Sequence, residues 1–232
     1  MRVTAIVVAA GAGRRIGGEV SKIYLPIAGR PIVLRTLDKV FSTKSIGEVI
    51  LVIAAEETKR CEALLRDDSN LRVRSCILQT GGATRQQSAK RGLEKVAADT
   101  DIVIIHDGAR PLVSAVLIDR CVDVAADKGA VVVGLPVRDT IKVVDPDGII
   151  QSTPERRFLW EIQTPQVFQR ELIITAHERA VKDGVEVTDD AMVVERMGSP
   201  VYVLEGERTN IKITLPEDIW LAEMMIREGR VS

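Results

Sequence analysis

The chain has 232 residues, with 32 Lys and Arg against 33 Asp and Glu, a net charge of −1, 3% aromatic residues, three Cys and two His. That length suits one α/β domain of up to ~250 residues, while the near-neutral charge and scarce aromatics exclude the basic surface and stacking platforms of a nucleic-acid binder. No apolar run approaches the ~20 residues of a membrane helix, and the start reads as a strand rather than a signal peptide, so a cytoplasmic chain with no membrane or nucleic-acid partner is expected.

The first strand is the apolar run Val3–Val8. It leads into Ala9-Ala10-Gly11-Ala12-Gly13-Arg14-Arg15-Ile16-Gly17-Gly18, where four glycines in eight positions let backbone N–H groups approach a phosphate chain. Residues 1–30 hold Arg2, Arg14, Arg15, Lys22 and Arg30 against Glu19 alone, a local balance of +4, so an anion is expected here. Ile16 at the sixth position departs from the dinucleotide fingerprint Gly-x-Gly-x-x-Gly, and the Gly-Lys-Ser/Thr of a P-loop is absent. Paired arginines followed by Lys22 suit a triphosphate.

Further strands are expected at 49–53, 73–77, 102–105 and 131–133, with helices at about 31–41, 56–66, 84–97 and 114–127. This βα alternation predicts a Rossmann-like, mostly parallel sheet with helices on both faces, and ligands beyond the carboxyl ends of the strands. The segments 137–144 and 149–153 flank the turn cluster Asp145-Pro146-Asp147-Gly148 and read as an inserted β-hairpin, an arm spanning about 137–157. Helices at about 169–183, 188–197 and 216–229 complete a single domain over 1–232, the last opening with Pro216 and two acids in its first turn.

Gly81-Gly82 after the third strand allows the backbone to read a base edge, and the Ser88 hydroxyl falls one turn into the next helix. Asp107 ends the most apolar strand at the edge where sites form, and is able to hold Mg²⁺ directly or through water. His106 is expected to be a buried, satisfied histidine. Cys61, Cys76 and Cys121, spaced 15 and 45 residues apart, fit neither a zinc site nor paired disulfides and read as packing residues.

The loop Ala9-Ala10-Gly11-x-Gly13-x-Arg15 with Lys22 resembles the signature of the sugar-phosphate nucleotidyltransferases. Further segments, in order along the chain, are Gly81-Gly82-Ala83-Thr84-Arg85-Gln86-Gln87-Ser88, His106-Asp107-Gly108-Ala109-Arg110-Pro111, Pro136-Val137-Arg138-Asp139-Thr140-Ile141-Lys142, Thr164-Pro165-Gln166-Val167-Phe168, Thr188-Asp189-Asp190-Ala191 and Asn210-Ile211-Lys212. Together they resemble the 2-C-methyl-D-erythritol 4-phosphate cytidylyltransferase family of the non-mevalonate isoprenoid pathway.

The resemblance implies transfer of a cytidylyl group from CTP to 2-C-methyl-D-erythritol 4-phosphate, with Mg²⁺ as cofactor. By the same likeness Arg15, Lys22, Arg156 and Lys212 are catalytic. CTP would be bound by Ala9, Ala10, Gly11, Ala12, Gly13, Gly82, Arg85, Ser88, Asp107 and Gly108, with Arg85 bracing the base loop. The acceptor would meet Asp107, Arg110, Thr140, Arg156, Thr164, Thr188 and Lys212. Thr140, together with Arg110, is implied to cross on the arm into a second subunit, making a homodimer with composite sites. Several alternatives stay open: Arg157 in place of Arg156, Mg²⁺ held by the triphosphate rather than by Asp107, ribitol 5-phosphate as acceptor, and a CTP-binding module without catalysis.

Overall fold

The computed structural model describes residues 1–11, 21–71 and 75–231. Strand β1 (Val3–Val8) is followed by a short 3-10 turn (Lys22–Tyr24), a small ladder of β2 (Pro26–Ile27) and β3 (Arg30–Pro31), and helix α1 (Ile32–Phe41). Then come β4 (Ile46–Ile53), α2 (Thr58–Asp67), β5 (Cys76–Thr80), α3 (Arg85–Leu93), β6 (Ile102–Asp107), α4 (Ala115–Lys128) and β7 (Ala130–Pro136). The ribbon of β8 (Val143–Val144) and β9 (Ile150–Ser152) precedes β10 (Trp160–Gln169), α5 (Arg170–Lys182), α6 (Asp190–Arg196), β11 (Tyr202–Glu205) and α7 (Pro216–Arg227).

Among the described residues the main sheet has seven strands in the order β11-β7-β10-β6-β1-β4-β5. All neighbours are parallel except β10, which runs antiparallel to both β6 and β7. Successive side chains of a strand point to opposite faces. Val3, Ala5 and Val7 therefore join one core under α1, α2 and α4, while Ile6 joins another under α3, α5 and α6. The expected two-sided α/β sheet is thus the observed one.

Three expectations are corrected. Strand β10 escapes sequence reading because Pro165 and four Gln or Glu side chains interrupt its apolar pattern. A register shift between Gln163 and Gln166 takes the proline out of the ladder. The third strand lies at Cys76–Thr80 rather than 73–77, with residue 73 outside the described residues. It is an edge strand, half-exposed along its length, so polar Gln79 and Thr80 can belong to it. Lys212, whose short apolar neighbourhood before the last helix reads as a strand, is in an irregular segment instead. The hairpin is present, but its ladder covers only Val143–Val144 and Ile150–Ser152, closed by Asp145 and by Gly148 at φ +82°.

Helix α3 carries two of the expected base-site residues, and its seat on the sheet is set by Gly92. A β-carbon there would lie 2.5 Å from Ile6 Cγ2 and 3.1 Å from Val52 Cγ2. Both neighbours are branched at Cβ and fully buried, so neither can swing aside. Gly92→Val is expected to lower stability by about 1–3 kcal/mol, measured as a lower urea midpoint at unchanged slope.

Candidate active site

From β1 the chain steps to β4 on one side and later returns to β6 on the other. That reversal opens a crevice at the carboxyl ends of β1 and β6. A cleft of about 560 Å³ lies there, lined by Ala9, Ala10 and Gly11 after β1, by Gly82, Arg85 and Ser88 after β5, by Asp107, and by Lys22 and Lys212.

The loop after β5 is built by its own side chains. Thr84 caps α3 by accepting from Gln87 N at 3.1 Å, Ser88 Oγ accepts from Gly82 N at 3.1 Å, and Gln87 Oε1 accepts from Ala83 N at 2.8 Å. Such a cap contributes ~1 kcal/mol. A β-carbon on Gly81 would sit 2.4 Å from Ala10 Cβ, so only glycine lets this loop close on the one after β1. Gly108 has a similar part: it donates to Val8 O at 2.8 Å, and a β-carbon there would meet Ala9 Cβ at 2.8 Å. It supports the cleft from behind rather than lining it.

Asp107 is the electrostatic centre. Arg85 Nε lies 3.3 Å from Oδ1, Lys212 Nζ 2.7 Å from Oδ2, and Arg110 Nε 3.9 Å from Oδ2. Burial alone would raise its pKa, yet the charges of Arg85, Lys212 and Arg110 hold the carboxyl well below the usual carboxylate range. Behind it, Thr164 Oγ1 accepts from Asp107 N at 3.0 Å and lies 3.1 Å from His106 Nδ1, while His106 Nε2 faces Arg110 O at 3.2 Å. A carbonyl only accepts, so Nε2 carries the ring proton and the Thr164 hydroxyl donates to Nδ1. His106 is thus the satisfied, buried histidine that the sequence predicts.

Lys22, on the 3-10 turn, donates to Ile213 O at 2.7 Å. Lys22 therefore reaches the segment before α7 that bears Lys212, and this segment is tied to the β6 loop by Ile213 N donating to Ala109 O at 2.8 Å. Of the other expected residues, Ala12, Gly13 and Arg15 lie outside the described residues. Thr164 is buried behind Asp107 instead of lining the cleft. Arg110 is not an arm residue: it is 8% exposed, donates to Asn210 O at 2.7 Å, and belongs to its own chain's Asp107 cluster.

Thr140, Arg156 and Thr188 are exposed, and none lines the cleft. Arg156 donates to the Arg138 carbonyl, whereas Arg157 pairs with Glu155 at 2.8 Å and covers the Phe158 ring. Sequence reading missed Asp190, which takes Arg85 Nη1 at 2.6 Å, and Gln166, whose Oε1 accepts from Asp190 N at 2.9 Å. Both stand in the quoted segments. Nothing in a pair of adjacent acids, however, says that Asp189 caps α6 while Asp190 points inward.

Residues 3–228 match the family model described as 2-C-methyl-D-erythritol 4-phosphate cytidylyltransferase. A protein of that name from Caldanaerobacter subterraneus subsp. tengcongensis is 44% identical, over 98% of this chain and 100% of its own length. Another from Geobacter metallireducens is 42% identical, over 98% and 99% respectively. Among solved structures, the 4-diphosphocytidyl-2C-methyl-D-erythritol synthase of Anaerococcus prevotii superposes with a TM-score of 0.86 at 32% identity, covering 97% of this chain and 96% of that one.

Burial pushes the His106 pKa down from 6.5 to about 4. The unfolded chain takes up that proton near pH 6.5 and the folded chain only near pH 4, so stability is full above this window and falls as pH is lowered through it. The loss is at most about 3 kcal/mol. His106→Gln, which keeps a donor for the Arg110 carbonyl, is expected to flatten the pH dependence of the urea midpoint across the window. A wild-type slope in this variant would assign the effect to another group.

Proposed function

The chain belongs to the 2-C-methyl-D-erythritol 4-phosphate cytidylyltransferase family, and we infer from this that it transfers the cytidylyl group of CTP to 2-C-methyl-D-erythritol 4-phosphate. The products are 4-diphosphocytidyl-2-C-methyl-D-erythritol and pyrophosphate. A phosphate oxygen of the acceptor attacks the α-phosphorus, the bond to the β-phosphate breaks, and the leaving pyrophosphate carries away the electron pair. The nucleophile is already ionised, so no general base is required, in keeping with a neutral, internally bonded His106. Charge collects at the pentavalent phosphorus, and catalysis consists of positioning and electrostatic stabilisation.

The observation that carries this reading is that Lys22 bonds the segment that bears Lys212, so that both lysines line the switch-point cleft together with the loop after β1. We assign Lys22 and Arg15 to the phosphates and transition state, with Ala10, Gly82 and Ser88 around the cytosine. Asp107 and Lys212 then stand where nucleotide and acceptor meet. The exocyclic amine of cytosine is a donor and suits a backbone carbonyl of the Gly82 loop.

Mg²⁺ is read as arriving on the nucleotide. Among the described residues no three acidic, His or Cys side chains cluster as a metal cage, and each Asp107 oxygen already meets a cation. The ion is suited by substrate phosphate oxygens and water, and no step is assigned to it.

Thr140 and Arg156 are read as acceptor ligands that the arm supplies across a dimer, and Thr188 as a further acceptor ligand. Support comes from the arm, whose Ile149 is 61% and Phe158 69% exposed, and which forms a separate two-stranded sheet. Such a ribbon is marginal in water, and an apolar patch of this kind calls for a cover. A cytoplasmic setting agrees with three unpaired cysteines, two of them fully buried.

With CTP, the acceptor and Mg²⁺, the pure protein is expected to release pyrophosphate; no turnover with this acceptor would overturn the reading. Lys22→Ala should keep CTP affinity within about tenfold by calorimetry while losing about 10²–10³ in kcat, and unchanged kcat would remove its role. Mixing Thr140→Arg subunits with Lys22→Ala subunits is expected to restore part of the activity, because one composite site in the hybrid is intact. No recovery in a dimer verified by sedimentation would argue against shared sites.

A further inference from the structure

Two buried ionisable residues have no part in the chemistry above and line no wall of the cleft. His177 on α5 and Asp190 at the start of α6 are each 1% exposed. His177 Nε2 lies 3.0 Å from Asp190 Oδ1, and Asp190 Oδ2 accepts from Arg85 Nη1 at 2.6 Å. Arg85 Nε then reaches Asp107 Oδ1 at 3.3 Å, and Lys212 holds Oδ2. Side chains from α5, α6, α3 and β6 thus make one continuous line from the interior to the cleft.

The state of each member follows from its partners. His177 Nδ1 is buried and has no hydrogen-bond partner among the described residues, so a proton there would be an unsatisfied donor. The proton that matters is on Nε2, which donates to Asp190. Asp190 is kept ionised: burial opposes this, but Arg85 and the His177 hydrogen bond outweigh it and lower its pKa. Its backbone is pinned too, since Gln166 Oε1 accepts from the N–H groups of Asp190 and Ala191 at 2.9 and 3.1 Å.

The geometry of Arg85 is the telling feature. A guanidinium facing a single carboxylate prefers a bidentate fork that occupies both oxygens. Here Asp190 takes Nη1, Arg85 meets Asp107 through Nε at Oδ1 alone, and Oδ2 is free to bond Lys212 at 2.7 Å, with Arg110 Nε farther off at 3.9 Å. Without the Asp190 charge, Arg85 would be drawn into the full fork with Asp107, turning the carboxylate and competing with Lys212.

We propose that Asp190, oriented by His177, is a positioning residue that divides the Arg85 guanidinium between two carboxylates and thereby reserves one Asp107 oxygen for Lys212. The inference rests on the transferase reading, which turnover by the wild type tests separately.

Given an active wild type, Asp190→Asn is expected to lose at least about tenfold in kcat, with the CTP KM within about threefold. In a Lys212→Met background the same change should cost less than about twofold, because the residue through which it acts is already gone. A purely structural role would cost the same factor in both backgrounds, and that result overturns the proposal, as does wild-type kcat in folded Asp190→Asn. His177 supplies an independent pair should Asp190→Asn fail to fold. His177→Gln keeps an N–H for Asp190 and should stay within about threefold of wild-type kcat, while His177→Leu should lose about tenfold and lose that penalty in the Lys212→Met background. Equal kcat in the two His177 variants would overturn the part given to His177.

Discussion

A carboxylate withdrawn from water costs several kcal/mol unless cations come to it, and the carboxyl end of β6 places one at the bottom of the cleft. Asp107 is 7% exposed and met by Arg85 from α3, Arg110 from the loop just beyond it, and Lys212 from the segment before α7. Arg85 and Lys212 are distant in the chain from Asp107 and from each other, so the charge requirement of one residue ties three parts of the fold to one point. Removing a partner from such a buried cluster typically costs 3–5 kcal/mol, because the remaining charge is left uncompensated. The same arrangement leaves Lys212 at the rim, 42% exposed, where a cation is of use to a phosphate.

The scaffold behind that point is β10, the one antiparallel strand of the main sheet. Its Thr164 hydroxyl receives Asp107 N and donates to His106, and its Gln166 amide holds the start of α6. Asn210 Nδ2 in turn donates to Thr164 O at 2.8 Å, and Asn210 O receives Arg110. A segment whose pattern suggests substrate contact turns out to satisfy buried polar groups of the site's own walls. Unpaired, each such group would cost about 1–3 kcal/mol, which is reason enough for polar residues in a central strand.

The cleft and the arm are physically separated. Within one chain, the loops after β1, β5 and β6 enclose a cleft with two lysines, whereas the arm carries Thr140 and Arg156 outward on a ribbon with exposed apolar side chains. Burial of apolar surface is what a free ribbon lacks and a partner supplies.

The local periodicities of the chain determined much of the outcome. Near-continuous apolar runs such as Val3–Val8 and Ile102–Ile105 point to buried parallel strands, and Gly81-Gly82 and Asp107 fall at strand carboxyl ends because that is where an α/β sheet opens. What sequence could not decide is whatever depends on direction and partner across long chain separations. It could not tell that Asp189 caps a helix while its neighbour Asp190 pairs with Arg85, 105 residues away. Nor could it tell that Arg110 turns inward to Asn210, or that β10 crosses the sheet antiparallel despite Pro165. Side-chain type and spacing carry the short-range terms, but the pairing of buried charges is a three-dimensional condition, met only when distant segments have packed into the same place.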